Sequence, residues 1–143
     1  LDGINPKVVV LLIGTNNTAH DTPAGIAAGV TRIVKQILAK IPSTKVLLLN
    51  ILPRSPSPTD KRRQTIMQAN QILAALDNGN NVFFIKAWEP FLDDKAMMKM
   101  ELMPDALHPG EMGYPILAGV IKDKMAVLLQ EGEKAEKDSK ETP

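Results

Sequence analysis

Cysteine is absent from this chain of 143 residues, and histidine occurs only twice. The lack of cysteine excludes disulfide bonds, thiol catalysis and thiolate metal sites. Two histidines without cysteine cannot close a zinc site, and no acidic cluster has the spacing of a calcium loop. The sequence also lacks the Gly-x-Gly-x-x-Gly motif and the Gly-Lys-Ser/Thr loop that bind nucleotides. We therefore expect neither a metal ion nor a cofactor.

An excess of charge of one sign is also missing, because 17 basic and 16 acidic residues leave a net charge of +1 at pH 7. This balance offers no electrostatic footprint for nucleic acid. The basic run at residues 61–63 opens a predicted helix without aromatic neighbours, so we interpret it as a solvated helix face. The sequence contains no apolar run near the roughly 20 residues that cross a bilayer. We expect no nucleic-acid partner and no transmembrane segment.

Hydrophobic residues are plentiful, at 44% of the chain, and they alternate between strand and helix patterns. Apolar runs typical of strands buried on both faces of a parallel sheet occur at residues 8–13, 45–52 and 82–85. Helical spacing predicts a helix that Thr22 caps and Pro42 ends, a second from residue 59 or 60 to 76, and a third over 112–129. The alternation predicts an α/β fold, a three-layer αβα sandwich with a parallel sheet.

The chain ends in a charged stretch from residue 130 onward that lacks apolar residues. Such a segment cannot bury enough surface to order itself by packing. We therefore expect residues 130–143 to be a solvated tail without regular structure, and residues 1–129 to belong to one domain.

Two short motifs carry residues suited to chemistry. In the segment from Asp105 to His108, an aspartate three residues before a histidine can orient an imidazole and stabilise its charge. After the first predicted strand, Gly14 permits a tight turn from which the amide of Asn16 can donate to an oxyanion. Ligands of parallel α/β sheets bind beyond the carboxyl ends of the strands, where both motifs fall. Together they indicate most of an acyl-transfer site.

Each motif alone has a plainer interpretation. A pair such as Asp105 and His108 is more often a surface hydrogen bond. The residues at 14–17 would ordinarily serve only to form a tight turn, since glycine and asparagine tolerate left-handed conformations. His20 is the other histidine, and we expect a solvated loop residue rather than a side chain that lines a pocket. The co-occurrence of the two motifs, in order and after a strand, favours the chemical interpretation.

The nucleophile of such a site is missing from the sequence. No serine stands in a Gly-Asp-Ser or Gly-x-Ser-x-Gly setting that would present its hydroxyl. Ser55, Ser57 and Ser139 lie in proline-rich or charged sequence, and we exclude them as nucleophiles.

The two motifs resemble the third and fifth sequence blocks of the SGNH, or GDSL-type, esterases, most closely the branch of the platelet-activating-factor acetylhydrolases. The resemblance extends over about residues 6–129 and includes the Leu-Pro-Arg exit of the middle strand at residues 52–54 and Asn70 on the next helix. It rests on the order, the spacing and the strand context of the blocks. Asn17 stands where the broader family often has aspartate, as in the acetylhydrolase branch.

The resemblance implies a flavodoxin-like sandwich and a serine-dependent ester hydrolase that works through an acyl-enzyme without a cofactor. It implies that His108 is the general base, that Asp105 orients it, and that Asn16 is the side-chain donor of the oxyanion hole. Gly14 and Asn17 are then substrate-binding residues. The substrate implied is a small-molecule, carbohydrate or lipid ester.

The family's first two blocks, which supply the serine and a glycine, have no counterpart in residues 1–143. We therefore expect residues 1–129 to be the C-terminal portion of one such domain, completed by a segment N-terminal to this chain. In the sheet order 2-1-3-4-5 of the family, the strand at residues 8–13 is the third and lies beside the first. Without that neighbour it would expose an apolar edge, and we expect self-association through it.

Two functions of other classes remain open. The chain could be a non-catalytic fragment or an interaction module that retains the fold. It could also be a flavodoxin-like small-molecule binder in which the turn at residues 14–17 cradles an anion. The binder leaves Asp105 and His108 without a role.

Overall fold

The computed structural model describes the backbone of residues 3–141 and the side chains of residues 3–130. Strands and helices alternate along the chain in the order β1 (Val8–Leu11), α1 (Pro23–Lys40), β2 (Lys45–Leu49), α2 (Lys61–Ala74), β3 (Val82–Ile85) and α3 (Gly113–Glu141). Two short 3₁₀ turns, Thr15–Ala19 and Glu89–Phe91, follow β1 and β3. Within the described residues, no helix combines the length and the apolar character that crossing a membrane requires.

The three strands form one parallel sheet in the order β1-β2-β3. Helices α1 and α2 pack on one face, through side chains such as Val34 and Ile66 against Val46 and Leu48 of β2. Helix α3 packs on the other face, where Leu128 joins the cluster around β2 and β3. The predicted α/β class and parallel sheet are confirmed, and the strand order is the one expected for the third to fifth strands of a flavodoxin-like sheet.

Local signals placed several element ends correctly. Thr22 caps α1 by accepting a hydrogen bond from the backbone N–H of Gly25 at 3.1 Å, with Pro23 at the first helical position. Asp60 caps α2 in the same way through the N–H of Arg62 at 2.8 Å. β3 spans the predicted residues 82–85. The short polar side chains that cap helices therefore fix where α1 and α2 begin.

β1 is an edge strand of the sheet. Val10, Leu12 and Ile13, in and just after the strand, expose 38%, 36% and 37% of their surface. The prediction that this strand is buried on both faces is wrong, because no strand in the described part of the chain pairs with its outer edge. The first two strands also end earlier than predicted, at Leu11 and Leu49, because the residues that follow turn away to build loops.

The last helix continues to Glu141, well past the predicted end at residue 129. The expected tail over 130–143 therefore has helical backbone as far as Glu141, while its side chains from 131 onward lie outside the described residues. Glutamate, lysine and alanine dominate this stretch and have high intrinsic helix propensity. A lack of apolar residues argues against packing, but it does not argue against a helix.

Asn70 on α2 holds the backbone where β2 ends. Its side-chain carbonyl accepts from the N–H of Ile51 at 2.8 Å, and its amide donates to the carbonyl of Ile51 at 3.0 Å. The side chain of Ile51 fills the space beside Gly14, where an added Cβ would lie 2.7 Å from Ile51 Cδ1. Gly14 also has φ 120°, which a residue with a side chain adopts only under strain. Asn70 thereby supports both the exit of β2 and the turn after β1.

We expect Asn70→Ala to lower the free energy of unfolding by about 2 to 4 kcal/mol, since two buried backbone groups of Ile51 would lose their partner. Urea denaturation followed by circular dichroism measures this. Gln71→Ala, at the exposed neighbouring position on the same helix, is the matched control and should change stability little. A loss below about 1 kcal/mol for Asn70→Ala would show that the contact is not a support of the fold.

We expect residues 1–143 expressed alone to self-associate through the exposed edge of β1. Val10→Lys puts a charge on that edge and should shift the chain toward monomer in size-exclusion chromatography with light scattering. Ile72→Lys adds the same charge at a side chain that is 47% exposed on α2, away from the sheet edge, and should leave the association unchanged. Equal behaviour of the two variants would contradict the assignment of the edge.

Candidate active site

A cavity of about 210 Å³ opens at the carboxyl edge of the sheet. Its wall combines residues after β1, residues after β2, the loop that leads into α3, and the first turns of α3. The residues of the wall are Leu12, Ile13, Thr15, Ile51, Leu52, Leu107, His108, Pro109, Tyr114 and Leu117. The cavity is thus mainly apolar, with an imidazole and two hydroxyl groups as its polar components.

The predicted pairing of Asp105 with His108 is present in the structure. One carboxylate oxygen, Oδ2, lies 2.7 Å from His108 Nδ1. The other, Oδ1, accepts from the backbone N–H groups of Leu107 at 3.0 Å and of His108 at 2.7 Å. Both side chains are exposed, at 56% for Asp105 and 66% for His108. The short loop therefore orients its own imidazole and leaves the ring open to solvent and to the cavity.

The hydrogen bond from the His108 ring, followed by those from the backbone N–H groups, lowers the pKa of Asp105 from 3.8 to about 2. The carboxylate is therefore ionised at neutral pH. An ionised carboxylate can only accept, so Nδ1 is the donor in this contact, and a ring that carries one proton then has its lone pair at Nε2. This is the tautomer that a general base needs.

The loop that carries the pair has a constrained backbone. Ala106 adopts φ 57°, in the left-handed region that alanine seldom occupies. Its N–H donates to the carbonyl of Met103 at 2.9 Å, and its own carbonyl accepts from the N–H of Ser55 at 3.0 Å. Hydrogen bonds on both sides thus hold a conformation that the residue does not favour.

The turn after β1 carries the other predicted residues. Asn16 is exposed, and its side chain makes no hydrogen bond to another described residue, so the amide is available to a ligand. The amide of Asn17 instead donates to Asp21 at 2.9 Å and braces the turn. Thr15, which sequence reasoning did not assign, lies in the wall of the cavity. The structure therefore brings His108 and Thr15 to one cavity, with Asn16 next along the chain and Asn17 engaged elsewhere.

Two arginines near the site were missed or misread from the sequence. Arg54 donates through Nη1 to the carbonyl of Thr15 at 3.3 Å. Arg63 is 1% exposed, so the interpretation of residues 61–63 as a solvated face is wrong at this position. Backbone carbonyls that accept hydrogen bonds from the guanidinium compensate for the burial of this charge. The available signal was helical spacing, since Arg63 precedes the core residue Ile66 by three positions.

The remaining histidine and the serines do not complete the site. His20 is exposed and lies outside the cavity wall. The hydroxyl of Ser55 is buried and has no hydrogen-bond partner among the described residues, and that of Ser57 bonds to Thr59. The side chain of Ser139 lies outside the described residues. No described serine is hydrogen-bonded to His108.

The model of the GDSL-like lipase/acylhydrolase family matches residues 1–116 of this chain. Human platelet-activating factor acetylhydrolase IB subunit alpha1 is 29% identical over 129 residues, which are 90% of this chain and 55% of that protein. The bovine subunit alpha2 is 30% identical over 132 residues, 92% of this chain and 57% of that protein. The chain thus spans about half the length of the curated relatives it matches.

Solved structures show the same fold. A GDSL-like lipase from Bacteroides thetaiotaomicron superposes with a TM-score of 0.68 at 25% identity, covering 91% of this chain and 63% of the other. The aryl esterase of M. smegmatis superposes with a TM-score of 0.65 at 21% identity, covering 90% and 63%. The second likeness shows the fold alone. The resemblance described from the sequence motifs is confirmed.

We expect the Asp105 carboxyl to titrate near pH 2 in carbon-detected NMR, and its pKa to rise toward 3.8 in His108→Ala, because the strongest hydrogen bond is lost. His20→Ala is the matched control and should not change it. Since the pKa is lower in the folded chain, the ionised carboxylate stabilises the fold above about pH 4, and this contribution is lost as the pH falls toward 2. An unchanged pKa in His108→Ala would contradict the pairing.

Proposed function

Because the chain belongs to the GDSL-like lipase/acylhydrolase family, we propose that it forms part of a serine-dependent ester hydrolase that acts through an acyl-enzyme. The observation that supports this best is the hydrogen bond between Asp105 and His108 at 2.7 Å, beside a mainly apolar cavity at the carboxyl edge of the sheet. A histidine oriented by a buried or hydrogen-bonded carboxylate is the base of acyl-transfer sites on many folds.

The nucleophilic serine is proposed to come from a segment N-terminal to residues 1–143. We call the protein that contains both parts the complete enzyme. In the first step, His108 Nε2 takes the serine proton while the serine oxygen bonds to the ester carbonyl carbon. The tetrahedral intermediate then expels the alcohol, which receives the proton from His108. Water attacks the acyl-enzyme with His108 again as base, and His108 returns the proton to the serine oxygen as the carboxylic acid leaves.

The other site residues have supporting roles in this proposal. Asp105 holds the imidazole in the required tautomer and stabilises the positive charge that it gains. Asn16 donates its free amide to the oxyanion, where preorganised donors have their largest effect. Gly14 and Asn17 shape the substrate-binding turn, Gly14 through its tight backbone and Asn17 through its bond to Asp21.

The apolar wall of the cavity supports an ester with an apolar group as the substrate. Leu12, Ile13 and Ile51 contribute to this wall. Relatives named as platelet-activating factor acetylhydrolase subunits support an acetyl ester as the first compound to test. The wider class is a small-molecule, carbohydrate or lipid ester.

A non-catalytic chain that keeps the fold is the second candidate. It is favoured by the absence of any described serine that is bonded to His108. Adding the segment that carries the proposed serine, as one polypeptide or as a separate chain, discriminates between the two. Hydrolysis of p-nitrophenyl acetate that appears only with this segment supports the enzyme, and its absence under all conditions supports the non-catalytic chain.

In the complete enzyme, we expect Asn16→Ala to lower kcat by roughly 10²- to 10³-fold with little change in KM, because the amide stabilises charge that develops only in the transition state. His108→Ala should remove most of the turnover. Steady-state kinetics with p-nitrophenyl acetate measure both effects.

His20→Ala provides the control for His108→Ala, since it removes the other imidazole from an exposed loop position, and it should stay near the unmodified rate. An inactive His20→Ala beside an active His108→Ala would refute the assignment of the base. A loss below about threefold for Asn16→Ala would remove this residue from the oxyanion hole.

A further inference from the structure

Arg63 is a fully buried cation whose hydrogen bonds all go to loop backbone. It lies in the first turn of α2, 1% exposed. Nε donates to the carbonyl of Arg54 at 3.0 Å, Nη1 to that of Ala96 at 3.2 Å, and Nη2 to that of Ser55. Burial lowers the pKa of Arg63, and the charge of Asp60 opposes this shift. The planar guanidinium reaches three carbonyls from three separate nitrogen atoms, whereas an ammonium group carries all its donors on one nitrogen.

The segments that Arg63 binds have strained backbones. Within the described residues, three residues other than glycine have positive φ: Ser55 at 72°, Ala96 at 58° and Ala106 at 57°. The first two give their carbonyls to Arg63, and the third gives its carbonyl to the N–H of Ser55. Such conformations persist only where the surroundings hold them, and they cluster at functional sites. All three belong to one hydrogen-bonded network that starts at Arg63.

The same network reaches both halves of the proposed active site. The N–H of Ser55 binds the carbonyl of Ala106 at 3.0 Å, inside the loop that carries the aspartate and histidine pair. The side chain of Arg54 binds the carbonyl of Thr15 at 3.3 Å, directly before Asn16. Arg54 thus contacts the turn at residues 14–17, and Ser55 contacts the loop at residues 105–108. Arg63 binds the backbone carbonyls of Arg54 and Ser55.

We propose that Arg63 is a positioning residue of the active site. It holds the Arg54–Ser55 segment, and this segment fixes the position of His108 relative to Asn16. The proposal rests on the proposed function of the same site. Small displacements of catalytic groups lower the reaction rate by large factors. The loss of the hydrogen bonds from Arg63 should therefore reduce kcat more than it changes KM.

The first test compares three variants of the complete enzyme. Arg63→Lys keeps the charge but places its three donors on one nitrogen, which cannot span the carbonyls that Nε, Nη1 and Nη2 reach separately. Arg63→Met removes the donors while keeping most of the volume. We expect both to lower kcat by roughly 10-fold or more, with KM changed less than about threefold. Arg62→Met is the matched control, since this neighbour is exposed and pairs with Asp60 at 3.3 Å, and its kcat should not change.

A double-mutant cycle tests the path and remains available if the Arg63 variants fail to fold. Arg54 is only partly buried, and Arg54→Met removes its bond to the Thr15 carbonyl. If Arg54 acts through Asn16, Arg54→Met should reduce kcat in the unmodified enzyme and have little further effect in Asn16→Ala. Losses that multiply in the double variant would overturn the proposed path.

A readout without catalysis separates this proposal from the proposed function. In Arg63→Lys, the pKa of Asp105 should rise from about 2 toward 3.8 as the loop with His108 loosens, while Arg62→Met should leave it unchanged. If the complete enzyme hydrolyses no ester, the proposed function fails and the Asp105 titration still decides the role of Arg63. Unchanged kcat and an unchanged Asp105 pKa in Arg63→Lys would overturn the proposal.

Discussion

Two hydrogen bonds between the side chain of Asn70 and the backbone of Ile51 decide where the chain runs when the central strand ends. A strand that continued would keep these groups in the sheet, whereas the buried amide draws them toward α2. Ile51 can then pack beside Gly14 and form part of the cavity wall. The residues that follow reach the two loops that hold the site. The position of the cavity therefore depends on one polar contact inside an apolar layer.

The site is built from one local unit and one assembled unit. Asp105 and His108 interact within four consecutive residues, so the pair forms from local contacts, in a loop that the N–H of Ser55 also holds through the carbonyl of Ala106. Its placement relative to Thr15 depends instead on contacts between residues far apart in the chain. The two charged groups differ in the same way. The Asp105 carboxylate accepts hydrogen bonds from its own loop, whereas the Arg63 guanidinium donates to carbonyls of other loops.

The parts that sequence predicts well are those whose causes are local. The cap at Thr22, the strand at β3 and the hydrogen bond between Asp105 and His108 each depend on a few neighbouring residues. The burial of Arg63 could not be predicted, because its acceptors are carbonyls of loops with positive φ that no sequence pattern announces. The exposure of β1 likewise depends on which strands are present beside it.

The left-handed backbone of Ala106 sets stability and the proposed activity against each other in the loop that carries Asp105 and His108. An alanine in this region costs about 1 to 2 kcal/mol relative to a relaxed backbone. Glycine would remove that cost, yet it would also allow the loop many more conformations than the one that points the imidazole at the cavity. If the proposed function holds, variants selected for heat resistance would therefore gain from glycine at this position, while variants selected for turnover would keep the strained residue.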